Sequence, residues 1–397
     1  MRYRLAVLLP GIIFLAGCGS ESAVKPSTAP TAAASVLVPI GNWSNAASMA
    51  TARWEHAAIL LATGKALVLG GNDPNTIGIQ NTELYNPMSD TWSSASAPQT
   101  VRWNATVTLL KDGRVLYAGG LTGDEGPLDS ALNSTELYDP TSNTWMPAAG
   151  MRQGRQLHTA TLLKNGKILL VGGTDSGQAV ARAEVYDPSS NAVSSAGSTT
   201  PRYRHTATLL ADGRVLITGG QNVPIDQAIH GPAPWQKPTA PSLRSAEIYD
   251  PDTNTWSHAA PMSIARSEHA AALLSDGRVI VVGGASGNDS SAEIYDPATN
   301  RWTGAHRLTL GRYPLTALTL LDGRVFVMGG PQDPDTNTAS VEIYDPRQDA
   351  WSIGGATTKA WSGFTATLLT NGKVLVAGGR EPSGFSVVAS CQLYIPG

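Results

Sequence analysis

The stretch that decides the fold is HTATLLADGRVLITGG at residues 205–220, which is followed by AEIYDP at residues 246–251. HTATLL and RVLITGG are apolar, β-rich runs, and the Ala-Asp-Gly at 211–213 between them has the composition of a tight hairpin turn. AEIYDP predicts a third strand that ends at Pro251, because proline cannot donate a hydrogen bond to a ladder. The NTWS at residues 254–257 begins a fourth strand. The segment therefore predicts a small antiparallel sheet of four strands.

The same pattern recurs seven times beyond residue 40. Its markers are a Gly-Gly pair, a Tyr some dozen residues or more downstream, and in most copies a Trp after the Tyr. The Gly-Gly pairs begin at Gly70, Gly119, Gly172, Gly219, Gly283, Gly329 and Gly378, and the Tyr are Tyr85, Tyr138, Tyr186, Tyr249, Tyr295, Tyr344 and Tyr394. Seven repeats of a four-stranded sheet predict an all-β fold, a β-propeller of seven blades spanning residues 41–397.

The two ends of this region complement each other. The last repeat stops at Gly397, shortly after Tyr394, with no sequence left for a fourth strand. At the other end, GNWS at residues 41–44 is a fourth-strand pattern without a repeat of its own. We therefore expect the N-terminal strand to complete the last blade, which would leave no open sheet edge in the ring.

This pattern of Gly-Gly, a spaced Tyr and then a Trp resembles the kelch repeat, and its period is about 50 residues. The resemblance covers the chain from Trp43 to Gly397. It implies that the first strand of each blade is innermost, around a central channel. It also implies a possible function, since the matching Arg in some kelch proteins bind acidic partners.

The segment that leads into the first strand of each blade carries a recurring Arg, and in four blades a His three residues later. We call this segment the lead-in loop. The candidate ligand-binding residues are Arg53, His56, Arg102, Asn104, Arg155, His158, Arg202, His205, Arg266, His269 and Arg312, with Lys359 near the equivalent place in the last unit. One interpretation is an Arg ring at the channel mouth that binds carboxylates. The other is structural: the Arg pair with the Glu that recurs at 83, 136, 184, 247, 293 and 342, and the His satisfy backbone carbonyls.

One loop is far longer than its counterparts, with the sequence QNVPIDQAIHGPAPWQKPTAPSLR at residues 221–244. Loops longer than about 12 to 15 residues in a compact domain are usually functional or disordered. His230 and Trp235 are its candidate binding residues. We interpret the loop as a lid or wall over the channel mouth, and an inert insertion is the alternative.

The N-terminus has the pattern of a targeting signal. Arg2 and Arg4 precede a short apolar run, and residues 1–17 predict a secretory signal peptide. The LAGC at residues 15–18 resembles the bacterial lipobox, which implies cleavage before Cys18 and acylation of its thiol. Residues 18–40 are rich in Ser, Ala, Thr and Pro and predict a flexible tether. The expected location is the bacterial cell envelope. The lipid alone is expected to hold the protein on the outer membrane, where it would face either the periplasm or the exterior.

Composition limits the possible partners. There are 28 Lys and Arg against 31 Asp and Glu, so the net charge of -3 argues against nucleic acid as a partner. Only two Cys are present, and one is Cys18, so no intramolecular disulfide is expected in the propeller.

The function expected from these observations is a monomeric binding module for a protein or a carbohydrate, with an anionic ligand favoured by the Arg. No cofactor, metal ligand or catalytic residue is assigned. The alternative is an enzyme acting on sugars, because galactose oxidase-like copper enzymes and sialic-acid epimerases also use kelch propellers. The sequence has no Tyr-His dipeptide and only Cys391 besides Cys18, so the copper ligand set that this resemblance implies is incomplete.

Overall fold

The computed structural model describes residues 40–73, 78–122, 130–225, 241–284, 290–329, 340–357, 362–381 and 386–397. The secondary structure of these ranges consists of strands and turns. No helix within them could cross a membrane. The signal peptide, Cys18 and the tether lie outside the described residues and stay predictions.

The strands follow one another in groups of four after an isolated first strand, β1 (Asn42–Ala46). Blade 1 contains β2 (Ala57–Leu60), β3 (Ala66–Leu69), β4 (Thr82–Asn86) and β5 (Thr91–Ala95); blade 2 contains β6 (Thr106–Leu109), β7 (Val115–Ala118), β8 (Thr135–Asp139) and β9 (Thr144–Ala148). Blade 3 contains β10 (Thr159–Leu162), β11 (Ile168–Val171), a small hairpin of β12 (Thr174–Asp175) and β13 (Gln178–Ala179), then β14 (Arg182–Asp187) and β15 (Ala192–Ser198).

The remaining blades repeat this order. Blade 4 contains β16 (Thr206–Leu209), β17 (Val215–Thr218), β18 (Ala246–Asp250) and β19 (Thr255–Ala259); blade 5 contains β20 (Ala270–Leu273), β21 (Val279–Val282), β22 (Ala292–Asp296) and β23 (Arg301–Ala305). Blade 6 contains β24 (Leu315–Thr319), β25 (Val325–Gly329), β26 (Ser340–Asp345) and β27 (Ala350–Ala356); blade 7 contains β28 (Thr365–Leu368), β29 (Val374–Ala377) and β30 (Cys391–Ile395).

Each blade is an antiparallel sheet in sequence order, and the first strands form the inner ring. β10, for example, pairs with β11, which pairs with β14 and then β15. The first strand of each blade contacts that of the next, and β28 contacts β2, so the ring is closed. This arrangement confirms the seven-bladed, all-β fold predicted from the sequence.

The N-terminal strand completes blade 7, as predicted. β1 pairs antiparallel with β30, and Trp43 lies opposite Tyr394 in that ladder. The two rings pack with their centroids 5.4 Å apart. This ladder joins the two ends of the propeller without a covalent bond.

The hydrophobic cores lie between neighbouring blades. One of them joins Leu216 and Ile248 of blade 4 to Val279 and Tyr295 of blade 5. The Gly-Gly pairs lie where neighbouring blades pack closely. A Cβ on Gly172, for example, would lie 2.3 Å from the backbone oxygen of Arg202. The φ of Gly172 is also positive, so this position favours glycine for two reasons.

Candidate functional site

The six recurring Arg are buried in ion pairs with the recurring Glu. Each Arg is 0% exposed. The pairs are Arg53–Glu83, Arg102–Glu136, Arg155–Glu184, Arg202–Glu247, Arg266–Glu293 and Arg312–Glu342, with N···O distances of 2.7 to 3.1 Å. The Glu also hold the lead-in loop, since Glu184 accepts a hydrogen bond from the backbone N–H of Arg152 at 2.7 Å. These pairs fix each lead-in loop to the third strand of its own blade.

This geometry differs from the predicted Arg ring at the channel mouth. Arg155, for example, donates to the carbonyl of Gly172 at 2.9 Å as well as to Glu184 at 2.7 Å. The Arg155 guanidinium has no exposed surface, and its two terminal nitrogens donate within the blade, so it is not placed to contact a ligand. The structural interpretation left open by the sequence is the one that the structure shows for Arg53, Arg102, Arg155, Arg202, Arg266 and Arg312.

The four lead-in His are also buried, and they connect neighbouring blades. His56, His158, His205 and His269 are 4 to 8% exposed. In each, Nε2 lies 2.9 to 3.1 Å from a Thr hydroxyl on the inner strand of the preceding blade: Thr365, Thr106, Thr159 and Thr206 respectively. Burial and the nearby Arg lower the pKa of His56 and of His269 to about 3, so both imidazoles are neutral at pH 7. They supply no positive charge for an anion.

Two positions after each of the six buried Arg, and at the matching place in blade 7, lies a residue that just precedes the inner strand, at the end of the ring that we call the mouth. These seven residues, the mouth ring, are Glu55, Asn104, Leu157, Arg204, Glu268, Pro314 and Gly363. Five of their backbone N–H groups donate to the carbonyl of the preceding member, at N···O distances of 2.9 to 3.5 Å, in a row from Gly363 through to Glu268. All seven keep some exposed surface. The mouth ring is thus linked through its backbone from blade 7 to blade 5.

The backbone of the mouth ring is unusual. Glu55, Asn104, Leu157, Arg204 and Glu268 have φ of 53 to 55°. Non-glycine residues in this region are uncommon, and strained backbone clusters at functional sites. The mouth ring therefore combines exposure, strain and varied side chains.

Four charged side chains act on one another at this mouth. Arg204 and Glu268 form an ion pair at 2.7 Å, with 14% and 16% of their side chains exposed. The guanidinium of Arg380 lies 4.9 Å from the ring centroid of Trp54. Glu55 lacks such a partner: its Oε2 has no exposed surface and accepts no hydrogen bond from the described residues, although the residue as a whole is partly exposed.

Burial raises the pKa of Glu55 from its ordinary 4.5 to about 7. The positive charges of Arg204 and Arg380 oppose this shift, and the negative charge of Glu268 adds to it. These groups belong to blades 1, 4, 5 and 7, so their fields meet at the channel axis. At neutral pH the Glu55 carboxyl is close to half ionised.

Of the candidate residues found in the sequence, the structure places Asn104 in the mouth ring, where its Nδ2 donates to Gln156 at 3.4 Å. His230, Trp235 and Lys359 lie outside the described residues, so their roles stay predictions. The bridge of Ser362 with Arg380 corresponds to that of Trp54 with Asn72. In this alignment Trp361 takes the place in blade 7 that the recurring Arg has in the other blades, and it lies two residues after Lys359 in the sequence.

Both described ends of the long loop lie on the mouth side. Ile225 is 2% exposed, and its N–H donates to the carbonyl of Gly177 in blade 3 at 2.8 Å. At the other end, Leu243 bridges to Arg266. Residues 226–240 lie outside the described residues, so the lid stays a prediction.

Glu55, Arg204, Glu268 and Arg380 were not among the residues predicted from the sequence. A signal for three of them was present. When the repeats are aligned on the recurring Arg, the residue two positions after the Arg differs in most blades, although the residue directly after the Arg varies as well.

No group of three His, Cys, Asp or Glu side chains in the described residues could hold a metal ion. Cys391 is buried, and its thiol contacts the carbonyl of Ala389 at 3.6 Å.

The comparisons with known proteins agree with this architecture. Five Kelch motifs match residues 110–152, 158–199, 201–263, 266–305 and 313–355, which together make up more than half of the chain. The chain belongs to the kelch repeat family. A fungal alcohol oxidase of the AA5 family, solved in complex with copper, superposes with a TM-score of 0.72 at 20% identity, over 90% of this chain and 76% of that one. At this identity the likeness concerns the fold.

Galactose oxidase of the fungus Gibberella zeae is also similar to this kelch protein. The two are 34% identical over 62 residues, which is 15% of this chain and 9% of the oxidase. The match therefore spans less than a tenth of the length of that curated relative.

Proposed function

We propose that this kelch protein is a binding module whose ligand, a carbohydrate or a protein, binds at the mouth ring. The observation that carries the proposal is the contrast between scaffold and mouth. Arg, Glu, Tyr and Gly-Gly repeat from blade to blade, whereas the mouth ring carries Glu, Asn, Leu, Arg, Glu, Pro and Gly at equivalent positions. A rim that needed these residues only for folding would repeat like the rest, and function resides in sites added to a fold.

The structure changes which charges are available to the ligand. The six lead-in Arg are committed to Glu, and the His are neutral, so they do not favour an anion. The accessible ion pair of the mouth, Arg204 with Glu268, carries both signs. The proposal therefore keeps the ligand classes expected from the sequence and gives up the preference for an anionic ligand.

The opposite face of the ring is a weaker candidate. A depression there is lined by Asp212, Arg214, Asp276 and Arg278. These charges already pair within their own turns, Arg214 with Asp212 and Arg278 with Asp276, each at 2.7 Å. Exposed pairs of this kind are common surface features and contribute little.

The test compares two charge-neutral double variants of a soluble form that begins at residue 41. One combines Arg204→Ala with Glu268→Ala at the mouth. The matched control combines Arg278→Ala with Asp276→Ala on the opposite face, since its ion pair has the same 2.7 Å length. Ligands are first found by glycan array and by peptide array.

We expect the mouth variant alone to lose at least about tenfold in affinity, since a charge-assisted hydrogen bond contributes about 1.5 to 3 kcal/mol. Equal loss in the two variants, or loss in the control alone, would remove the binding site from the mouth.

The proposed setting is the bacterial cell envelope. It is supported by the signal pattern, by Cys18 and by the tether-like residues 18–40. β1 follows this segment directly, so the tether would leave the propeller at blade 7.

A second candidate is an enzyme acting on sugars. The observation that favours it is the pKa of Glu55, which at about 7 suits a group that takes up and releases a proton at neutral pH. Turnover of any sugar retained on the array, lost in Glu55→Gln, would establish it.

A further inference from the structure

The end of the ring opposite the mouth, which we call the base, carries two turns in each of blades 1 to 6. The first turn joins the first and second strands, and the second turn joins the third and fourth. The N-terminal strand also begins at the base, because Asn42 of β1 lies opposite Ile395, the last residue of β30. An anchor on the segment before β1 therefore connects to the base and not to the mouth.

All Lys of the described residues lie at the base, in the first turns of the adjacent blades 7, 1, 2 and 3. One of them, Lys167, pairs with Asp187 at 3.1 Å. The other four, the base lysines, are at least partly exposed and have no carboxylate partner among the described residues. They are Lys65, Lys111, Lys164 and Lys373.

The same turns of blades 4, 5 and 6 are different. Their Arg pair with the Asp two residues earlier, at 2.5 to 2.7 Å: Arg214 with Asp212, Arg278 with Asp276 and Arg324 with Asp322. Together the base turns of blades 7, 1, 2 and 3 carry six cationic and four acidic side chains, against five and eight in blades 4 to 6. The base is thus positive on one side and negative on the other.

The base also carries exposed apolar side chains beside the base lysines. Met88 in the second turn of blade 1 is 90% exposed, and Leu321 in the first turn of blade 6 is 71% exposed. These two blades are the neighbours of blade 7, where β1 begins. Cationic and apolar side chains on one surface suit the boundary between lipid headgroups and acyl chains.

We propose that the base of blades 7, 1, 2 and 3 rests on a bilayer with anionic headgroups. Near such a surface each Lys contributes a factor of about five to binding. A flexible segment of the length of residues 18–40 has a root-mean-square span of about 25 Å, so an anchored propeller stays at high effective concentration at the membrane. Weak attraction by four charges then suffices. The mouth faces away from the membrane and is open to a ligand.

The inference rests on the predicted lipid anchor at Cys18, so the experiment uses the acylated full-length protein in vesicles. The vesicles are phosphatidylcholine alone, or phosphatidylcholine and phosphatidylglycerol at two to one. A dye is attached to one introduced Cys, at the base in Ser89→Cys or on the mouth side in Gln178→Cys. Both positions are exposed, whereas Cys391 is buried. Contact with the membrane is measured as quenching of the dye by nitroxide-labelled headgroups.

On the anionic vesicles we expect the base dye to be quenched at least about fivefold more than the mouth dye, which is the contribution of a single Lys. High salt should remove this excess, because it screens charges within a few Å. Exchange of all four base lysines for Gln should remove it as well. The matched control exchanges four exposed Arg of the mouth side for Gln and should keep it: Arg152, Arg182, Arg244 and Arg307.

Three outcomes overturn the inference alone: equal quenching of the two dyes, the same excess on pure phosphatidylcholine, or equal loss in the Lys and Arg variants. Melting temperatures show whether the variants are folded. If the fourfold Lys variant is not, the single changes Lys111→Gln and Lys164→Gln replace it, and each should reduce the excess. Protein that leaves the vesicles would contradict the anchor and overturn the inference with it. None of these results changes the proposed binding at the mouth.

Discussion

The stability of the propeller should depend on the ionisation of Glu55. The perturbation is Glu55→Gln, which keeps the size and the hydrogen-bonding oxygen of the side chain and removes its charge. Because the folded-state pKa is raised, the folded protein holds a proton that the unfolded chain releases between pH 4.5 and about 7. The wild-type free energy of unfolding should therefore fall as the pH rises through this range and level off above it.

The magnitude follows from the pKa. A tenfold change in proton affinity corresponds to about 1.4 kcal/mol. A rise from 4.5 to about 7 thus corresponds to at most about 3.5 kcal/mol, and the partial exposure of Glu55 reduces this to about 2 kcal/mol. Glu55→Gln should match the wild type at pH 4.5 and exceed it by about this amount at pH 8.

The assay is urea unfolding of residues 41–397 at pH 4.5, 6 and 8, with Asp252→Asn as the control. Groups that titrate in both proteins cancel in the difference between variant and wild type. A difference between Glu55→Gln and wild type that stays constant with pH would refute the argument that the carboxylate is desolvated.

Three further predictions concern the scaffold and the anchor. Deletion through residue 40 should preserve a cooperative melting transition, whereas deletion through residue 45 removes most of β1 and should lower the melting temperature; equal temperatures would contradict the strand closure. Arg155→Ala should destabilise the fold by about 3 to 5 kcal/mol in denaturant titrations, because it leaves Glu184 buried without its cation, and should leave ligand affinity unchanged. Reduced affinity at unchanged stability would restore Arg155 as a binding residue. Cys18→Ser should move the protein from the membrane to the soluble fraction, and membrane association that persists after a salt wash would count against the lipid anchor.

Most of the fold could be predicted because the same pattern of strands and turns occurs seven times in the sequence. The Asp-Gly turn at 212–213 and the Pro at 251 fix the strand ends in one blade, and their counterparts confirm them in the others. The pairing of β1 with blade 7 could also be predicted, because the last repeat has sequence for only three strands. The sequence also suggested the Arg–Glu pairs, since two oppositely charged residues that recur with one period can be partners.

The proposed binding site could not be predicted in the same way. The recurring Arg drew attention because charge is visible in a sequence, whereas the burial that removes Arg155 from solvent is not. The variable position of Glu55 is visible in the sequence, but the burial that raises its pKa is not, and neither are the distant charges that act on it, such as that of Arg380. Only the closed ring brings blades 1, 4, 5 and 7 to one axis, so the site is a property of the assembled fold.

The ladder between β1 and β30 has a mechanical consequence for an anchored protein. Blade 7 carries Gln392 where the other blades have Glu, and its sequence has Trp361 in the Arg register, so its described residues show no counterpart of the Arg–Glu pair of its neighbours. Its fourth strand is also the first to feel a pull on the N-terminal segment, through five residue pairs from Asn42–Ile395 to Ala46–Cys391. Under load we therefore expect β1 to separate from β30 first, while the sheets of blades 1 to 6 stay intact.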